Sequence, residues 1–195
     1  MPEKTPRIGV LALQGDFREH VEMLRSLGVE AVEVRLPKHM EGLDGLIIPG
    51  GESTTILKLM KAYGFREAIP EAAAAGMAVW GTCAGMIAIA NELTDPEPEP
   101  LRLMDIEVSR NWYGRQVDSF EQDILIKGIG DDPFHAVFIR APAIRGHGGG
   151  VEALAELPDH TPVALRSGKL LATAFHPELT SDSRVHRLFV ELSER

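Results

Sequence analysis

Residues 77–85, Met77-Ala78-Val79-Trp80-Gly81-Thr82-Cys83-Ala84-Gly85, join a short apolar run to the only cysteine of the chain. A helical apolar pattern follows over residues 86–90. A buried strand, a nucleophile flanked by glycines and a helix form the arrangement called a nucleophile elbow, whose sharp turn leaves no room for bulky neighbours. The positive end of the helix favours a thiolate. A lone cysteine is usually an inert buried residue, but this setting favours a catalytic Cys83.

A histidine and a carboxylate follow the apolar run 170–175, in Ala174-Phe175-His176-Pro177-Glu178. We expect this run to be a buried strand with His176 at its C-terminal tip. Because residues two apart in extended backbone share a side, Glu178 is predicted to reach one imidazole nitrogen while the other faces Cys83. Alone, the pair would be read as surface residues beside a turn proline. Combined with the elbow, it predicts Cys83, His176 and Glu178 as nucleophile, base and orienting group.

A pair of glycines follows another apolar strand, in Leu46-Ile47-Ile48-Pro49-Gly50-Gly51-Glu52-Ser53-Thr54-Thr55. Ser53 or Thr54 is predicted to cap a helix that continues to about residue 63. Backbone N–H groups at such a turn can stabilise a developing oxyanion, and we assign Gly51 and Ala84 as the donors. By itself the motif is weak, because most Gly-Gly turns are only turns.

The first half of the chain alternates strand and helix patterns. Strands are predicted over 8–13, 29–34, 43–48 and 77–80, and helices over 16–27, from the glycine pair to about 63, and over 66–75. This alternation predicts an α/β fold with a mostly parallel central sheet flanked by helices on both faces. In such sheets the functional site lies at the C-terminal ends of the strands, where all three motifs fall.

The second half is rich in strand patterns separated by tight turns. Strands are predicted over 106–108, 124–126, 136–139, 163–165 and 170–175, and a closing helix over 185–192. The Pro-Glu alternation at 95–100 is predicted to be a surface loop and not a domain linker, because the predicted catalytic residues lie on both sides of it. Residues 146–150 are predicted to form a loop, since no strand-loop-helix context suggests a phosphate site.

Composition limits the possible functions further. The 195 residues fit one domain, 1–195, and the net charge of −9 argues against a nucleic-acid partner. A single cysteine cannot form an internal disulfide, so we expect a reducing compartment. The apolar start is too short for a signal peptide, and no run reaches the length of a membrane span, which predicts a cytoplasmic protein. The remaining histidines lack ligand spacing, so we predict no metal site.

In order and spacing, the three motifs resemble those of the class I, triad-type glutamine amidotransferases, whose fold is flavodoxin-like. Nearly the whole chain is similar, more narrowly, to the family of glutaminase subunits of pyridoxal 5'-phosphate synthase. The resemblance is carried by residues 9–20, 49–55, 81–85, 110–121, 137–142 and 175–180. Within these segments, Gln14-Gly15, Arg110-Asn111 and Ile139-Arg140 narrow the match to that family.

The resemblance implies hydrolysis of L-glutamine to L-glutamate and ammonia, with no cofactor. It implies transfer of the ammonia to a barrel-fold synthase subunit in a large complex with a dodecameric synthase core, docked near Gln14-Gly15. Docking is implied to arrange the oxyanion loop. Glu52 has the right charge for the substrate's α-ammonium group, although it could equally pair with Arg140. The residues implied to bind glutamine are Gly50, Gly51, Glu52, Arg110, Ile139 and Arg140.

Three alternatives stay open on the sequence. Another amidotransferase subunit, for example in histidine or purine biosynthesis, would carry the same catalytic residues, although segments 110–121 and 137–142 argue against it. An α/β-hydrolase such as a thioesterase normally places its acidic residue before the histidine, whereas Glu178 follows His176. A non-catalytic binding module on the same scaffold would not need intact catalytic residues.

Overall fold

The computed structural model describes residues 5–110 and 119–194. The strands, in chain order, are β1 (Arg7–Leu11), β2 (Glu30–Val34), β3 (Gly45–Ile48), β4 (Ala78–Thr82), β5 (Ala90–Leu93), β6 (Met104–Ser109), β7 (Ser119–Ile124), β8 (Phe134–Ile139), β9 (Ala143–His147), β10 (Glu152–Glu156), β11 (Pro162–Ser167) and β12 (Leu170–Thr173). The helices are α1 (Phe17–Ser26), α2 (Ser53–Ala62), α3 (Phe65–Ala74), α4 (Ala84–Ile89) and α5 (Arg184–Glu194), with 3₁₀ turns at Pro37–Met40 and Pro177–Leu179.

The central sheet has seven strands in the order β10-β11-β12-β4-β3-β1-β2. From β12 to β2 each neighbouring pair is parallel, and β10 and β11 extend the sheet in antiparallel pairing. Every residue of β3 and β4 is buried, as expected for interior strands of a parallel sheet that is covered on both faces. The predicted mostly parallel sheet is confirmed.

Helices cover both faces of this sheet, as the packing around β4 demonstrates. Consecutive side chains of a strand point to opposite faces. On one face the Trp80 ring packs against His20 of α1 and Phe189 of α5, each with centroids 5.5 Å apart. On the other face a Cβ placed on Gly81 would lie 2.3 Å from the carbonyl oxygen of Gly85 in α4. The predicted helices on both faces are therefore confirmed.

Two smaller sheets lie beside the central one. Strands β5, β6 and β9 form a three-stranded sheet, and β7 pairs with β8 as a hairpin. The Phe120 and Phe138 rings stack across the hairpin at 4.4 Å, and Phe138 also contacts Phe175 at 5.6 Å. The hairpin is thereby joined to the residues that follow β12, close to His176.

The strands and α-helices from β1 to α4 lie within two residues of their predicted bounds, while the elements after α4 differ more. Strands β5, β9 and β10 were not predicted, and the strand predicted at 124–126 instead ends at Ile124. The loop predicted at 146–150 is wrong for Gly146 and His147, which pair with Glu107 and Ile106 across β6 and β9. Backbone pairing needs no apolar side chain, so the Gly-rich pattern hid this strand. Residues 111–118 of the segment that carries part of the family resemblance lie outside the described residues.

Across the described residues, no helix combines the length and the apolar character needed to cross a membrane.

Candidate active site

Cys83 lies at the tip of a tight turn between β4 and α4. Its backbone has φ 50° and ψ −107°, a conformation that non-glycine residues rarely adopt and that tends to occur at functional sites. Its backbone N–H donates to the carbonyl oxygen of Thr173 at 2.8 Å, which fixes the turn beside the end of β12. The residue is 7% exposed, and its sulfur lies 3.9 Å from the carbonyl oxygen of Ile139.

The glycines on either side of this turn are required by close backbone approach. A Cβ on Gly85 would lie 1.9 Å from the carbonyl oxygen of Ile48, and one on Gly81 would overlap the backbone of Gly85. No side chain fits at such distances. The reason predicted for the two glycines is thus confirmed, and both contacts hold α4 against β3 and β4.

His176 lies between a carboxylate and the thiol. Its Nδ1 donates to Oε1 of Glu178 at 2.7 Å, and both side chains are buried. Burial alone would lower the pKa of His176, but hydrogen bonds and charge from Cys83 and Glu178 raise it to about 10. Burial raises the pKa of the Glu178 carboxyl, and the hydrogen bond and charge of His176 oppose that rise. The raised pKa of His176 favours the protonated imidazole in this site.

The backbone that joins His176 to Glu178 differs from the prediction. Extended geometry was expected, but Pro177–Leu179 form a 3₁₀ turn and His176 has φ −109° and ψ 84°. The turn brings the carboxylate back onto the ring, so the pairing was predicted correctly for the wrong geometric reason. The backbone N–H of His176 donates to the carbonyl oxygen of Val137 in β8 at 2.9 Å, which anchors the turn.

The Gly50-Gly51 turn after β3 packs directly on His176. A Cβ on Gly50 would lie 2.5 Å from Cε1 of that ring, so only glycine allows this approach. A second loop holds the turn from the other side. The Gln14 side-chain oxygen accepts from the backbone N–H of Glu52 at 2.9 Å, and the backbone N–H of Asp16 donates to the Gly50 carbonyl oxygen at 3.1 Å.

Glu52 caps α2, in place of the predicted Ser53 or Thr54. Its carboxylate accepts from the backbone N–H of Thr54 at 3.1 Å and of Thr55 at 2.7 Å. Burial would raise the pKa of Glu52, but its hydrogen bonds with Thr55 and Thr54 lower it to about 2. Glu52 holds the position just before the first helical residue, and its carboxylate accepts from the N–H groups two and three residues further on, as an N-cap side chain does.

Arg110 reaches the same helix end from the end of β6. Its Nη2 donates to Oγ1 of Thr54 at 3.0 Å and lies 3.6 Å from Oε1 of Glu52. Arg110 is therefore the cationic partner of Glu52 in this structure. The sequence had left that role open between the substrate's α-ammonium group and Arg140. One positive and one negative group thus lie side by side near Cys83.

The predicted site residues surround a cleft of about 480 Å³. Those that line it are Cys83, His176, Gly51, Glu52, Ala84, Arg110, Ile139 and Arg140. Gly50 and Glu178 lie behind this lining, against the His176 ring. The structure therefore brings the three motifs and the two binding segments to one place, at the C-terminal ends of β3, β4 and β12.

Three residues near the site were missed by the sequence reasoning. Oδ2 of Asp16 lies 3.6 Å from Nδ1 of His176. The buried His20 lies behind Glu178, with its Nε2 3.4 Å from Oε2, and its Nδ1 lies 2.9 Å from Nε2 of the buried His186. Segment 9–20 held a signal for two of them, because Asp16 and His20 are four residues apart and therefore share one face at the start of a predicted helix.

Comparison with known proteins places the chain among glutamine amidotransferases. The model of the SNO glutamine amidotransferase family matches residues 10–195. A relative from Dehalococcoides mccartyi, named pyridoxal 5'-phosphate synthase subunit PdxT, is 56% identical over 190 residues, which cover 96% of this chain and 97% of the relative. A Thermus thermophilus protein of the same name is 56% identical over 188 residues, covering 95% and 97%.

Solved structures agree with this family on the fold. A structure titled as a glutamine amidotransferase superimposes with a TM-score of 0.90 at 53% identity, covering 95% of this chain and 98% of its own. The structure of PurLQS from Thermotoga maritima has a TM-score of 0.68 at 16% identity, covering 96% and 99%, and shows a shared fold alone.

Proposed function

The chain belongs to the SNO glutamine amidotransferase family, and from this premise and the site geometry we propose that it is the glutaminase subunit of a pyridoxal 5'-phosphate synthase. In this proposal it hydrolyses L-glutamine to L-glutamate and ammonia and passes the ammonia to a synthase subunit. One observation carries the chemistry. The buried imidazole of His176 donates to Glu178 at 2.7 Å and lines the same cleft as Cys83.

In the proposed reaction, the Cys83 thiolate attacks the side-chain amide carbon of glutamine. The carbonyl oxygen becomes an oxyanion, for which we assign the N–H groups of Gly51 and Ala84, both in the cleft wall. Since Nδ1 of His176 is held by Glu178, Nε2 is the nitrogen available to the substrate. His176 gives its proton to the departing nitrogen as the carbon–nitrogen bond breaks, so ammonia leaves and a glutamyl thioester remains.

The second half of the reaction uses the same groups in the reverse order. Neutral His176 takes a proton from water, and the resulting hydroxide attacks the thioester carbon. Collapse of the intermediate breaks the carbon–sulfur bond, releasing glutamate and restoring the thiolate beside a protonated imidazole. Glu178 stabilises the imidazolium in both resting and reacting states, because its carboxylate faces Nδ1 throughout.

Charge at the cleft suits a free amino acid as substrate. Glutamine carries an α-ammonium and an α-carboxylate, and the cleft offers Glu52 and Arg110 as opposite charges 3.6 Å apart. We assign these two residues, with Gly50, Gly51 and the Ile139-Arg140 segment, to substrate binding. The contact between Glu52 and Arg110 keeps each oriented while the cleft is empty.

Ammonia delivery explains why such a glutaminase works in a complex. Ammonia released into neutral water becomes ammonium and loses its nucleophilicity, so a shielded route to a synthase subunit is needed. We propose that residues 1–195 act as one glutaminase domain in the cytoplasm and dock through the region of Gln14-Gly15 onto a dodecameric synthase core. The contacts of this region with the Gly50-Gly51 turn support a link between docking and the oxyanion loop. The relatives' names favour this assembly over a histidine or purine enzyme.

A glutaminase assay with and without the synthase subunit tests the proposal. We expect weak hydrolysis by the isolated chain, marked stimulation by the synthase, and no hydrolysis by Cys83→Ala in either condition. Circular dichroism of the variant provides the folding control. Substantial hydrolysis by folded Cys83→Ala would refute the nucleophile, and equal rates with and without synthase would refute the coupling.

A further inference from the structure

One oxygen of the proposed catalytic carboxylate is left without a hydrogen bond. Oε1 of Glu178 accepts from His176, whereas Oε2 is buried and has no hydrogen-bond partner among the described residues. Nε2 of His20 lies 3.4 Å from this oxygen, and both side chains are fully buried. Buried carboxylate oxygens normally accept a hydrogen bond. Which ring nitrogen of His20 carries the proton therefore decides whether His20 can donate to Oε2 of Glu178.

The protonation of His20 follows from its neighbour His186. The two rings meet at Nδ1 of His20 and Nε2 of His186, 2.9 Å apart, so one of these nitrogens donates to the other. Nδ1 of His186 is buried and has no hydrogen-bond partner among the described residues. An orphaned N–H in such a place is more costly than an orphaned lone pair. Nδ1 of His186 is therefore the unprotonated nitrogen. The Nε2–H of His186 then donates to Nδ1 of His20.

This assignment leaves the proton of His20 on Nε2, where it faces Glu178. Burial, and then the nearby His186 and His176, lower the pKa of His20 well below its usual value, so the ring is neutral and carries one N–H. Oγ1 of Thr82 lies 3.3 Å from the same nitrogen and shares this donor. The reverse tautomer would leave the Nδ1–H of His186 without a partner and would set the lone pair of His20 Nε2 against Oε2 of Glu178 at 3.4 Å.

Packing keeps the His20 ring in this orientation. It meets the Trp80 ring edge-on, with centroids 5.5 Å apart and planes at 80°, and it contacts the His186 ring at 5.1 Å. Trp80 is itself fixed by a 3.1 Å bond from its indole N–H to Oγ1 of Thr173 in β12. A rigid donor thus lies on the side of Glu178 opposite His176.

We propose that His20 is a positioning residue that acts through Glu178: its Nε2–H holds Oε2, so that Oε1 stays directed at His176. The proposal rests on the proposed function. It assigns His20 no contact with substrate, and His186 fixes the tautomer that makes His20 a donor. Without this donor the carboxylate would be free to turn away from His176, and the imidazolium would lose part of its stabilisation.

Three substitutions at His20 separate the donor from the volume of the ring. His20→Leu removes all polar atoms, His20→Gln keeps an N–H donor near the Nε2 position, and His20→Asn keeps polarity only near Nδ1. Phe189→Leu loosens the packing around Trp80 without touching Glu178 and serves as the control for core damage. Each variant is assayed for glutamine hydrolysis in the complex with the synthase subunit, and wild type in the same complex tests the proposed function separately.

We expect His20→Leu and His20→Asn to lower kcat by about tenfold to a hundredfold, the range for one hydrogen bond to a charged group, with KM within about twofold. We expect His20→Gln and Phe189→Leu to stay within about threefold of wild type. The alkaline limb of the rate profile should move to lower pH in the first two variants. The titratable groups that face His176 are Cys83, Glu178 and Asp16. Those that face His20 are His186 and Glu178.

Two results would overturn the positioning role. One is wild-type kcat and an unmoved alkaline limb in folded His20→Leu. If that variant does not fold, the comparison between His20→Gln and His20→Asn decides, and equal activity of the two would reject the proposal. Absence of hydrolysis by wild type in the complex would instead refute the proposed function.

Discussion

Replacing Gly50 by alanine is the sharpest test of the site geometry. The added Cβ would lie 2.5 Å from Cε1 and 3.1 Å from Nδ1 of His176. Ordinary contact begins near 3.4 Å, so the ring must move by about 0.9 Å. Gly50 does not have a positive φ, so the backbone itself tolerates alanine. The substitution therefore acts on the ring and not on the fold of the turn.

Such a displacement should mainly reduce the chemical step. A shift of about 1 Å in a catalytic group costs on the order of a hundredfold in rate, so kcat of Gly50→Ala should fall by about that factor. The 2.7 Å bond from His176 to Glu178 would also lengthen or bend. If Gly50 contributed only to substrate binding, KM would rise instead while kcat stayed constant.

Steady-state glutamine hydrolysis in the complex with the synthase subunit measures kcat and KM. Thermal unfolding shows whether the variant is folded. Gly149→Ala is the matched control, because nothing lies within 4 Å of a Cβ at that position and its φ is unremarkable. This control should match wild type in both assays. A folded Gly50→Ala with kcat within twofold of wild type would refute the packing of the Gly-Gly turn on His176.

Three further predictions concern other parts of the structure. Glu52→Gln keeps a capping oxygen but loses the charge, so it should raise KM with little change in the free energy of unfolding. Glu52→Ala should raise KM and also lower the free energy of unfolding by about 1 kcal/mol, because the cap is lost. Steady-state kinetics and urea unfolding distinguish the two variants. Gly85→Ala forces a Cβ to 1.9 Å from the Ile48 carbonyl oxygen and should cost about 3 kcal/mol or more, a fall in Tm of roughly 6–12 °C by calorimetry. Burial lowers the pKa of His186 to about 3. Between about pH 6.5 and 3 the unfolded chain therefore binds more protons than the folded chain, and stability falls as pH falls. His186→Phe should make that fall shallower, as measured by urea unfolding at several pH values.

Much of the fold could be predicted because local patterns dictate it. The strands around the elbow are short apolar runs bounded by glycines, and such patterns predicted the strands and α-helices from β1 to α4 to within two residues. The second half was harder. Strand β9 contains Gly146 and His147 and pairs through backbone hydrogen bonds, which leave no trace in side-chain hydropathy. The same limit explains the unpredicted 3₁₀ turn after His176, whose local residues are compatible with extended backbone as well.

Several site contacts could not be predicted because they join residues far apart in the chain. His20 and His186 are separated by 166 positions, and their 2.9 Å contact depends on α1 and α5 packing on one face of β4. Arg110 reaches Thr54 across 56 positions, which decided the partner of Glu52. Neither contact follows from spacing, because each requires the crossing of two packed elements.

The amino-acid sequence by itself determined the α/β class, the elbow around Cys83 and the carboxylate that accompanies His176, because close glycines, strand ends and a two-residue separation act within a few residues of backbone. Only the tertiary structure decided that Gly50 packs on the His176 ring and that His20 lies behind Glu178. The physical reason is that interior packing brings together groups whose positions depend on every strand and helix between them, so the environment of the carboxylate is a property of the assembled core.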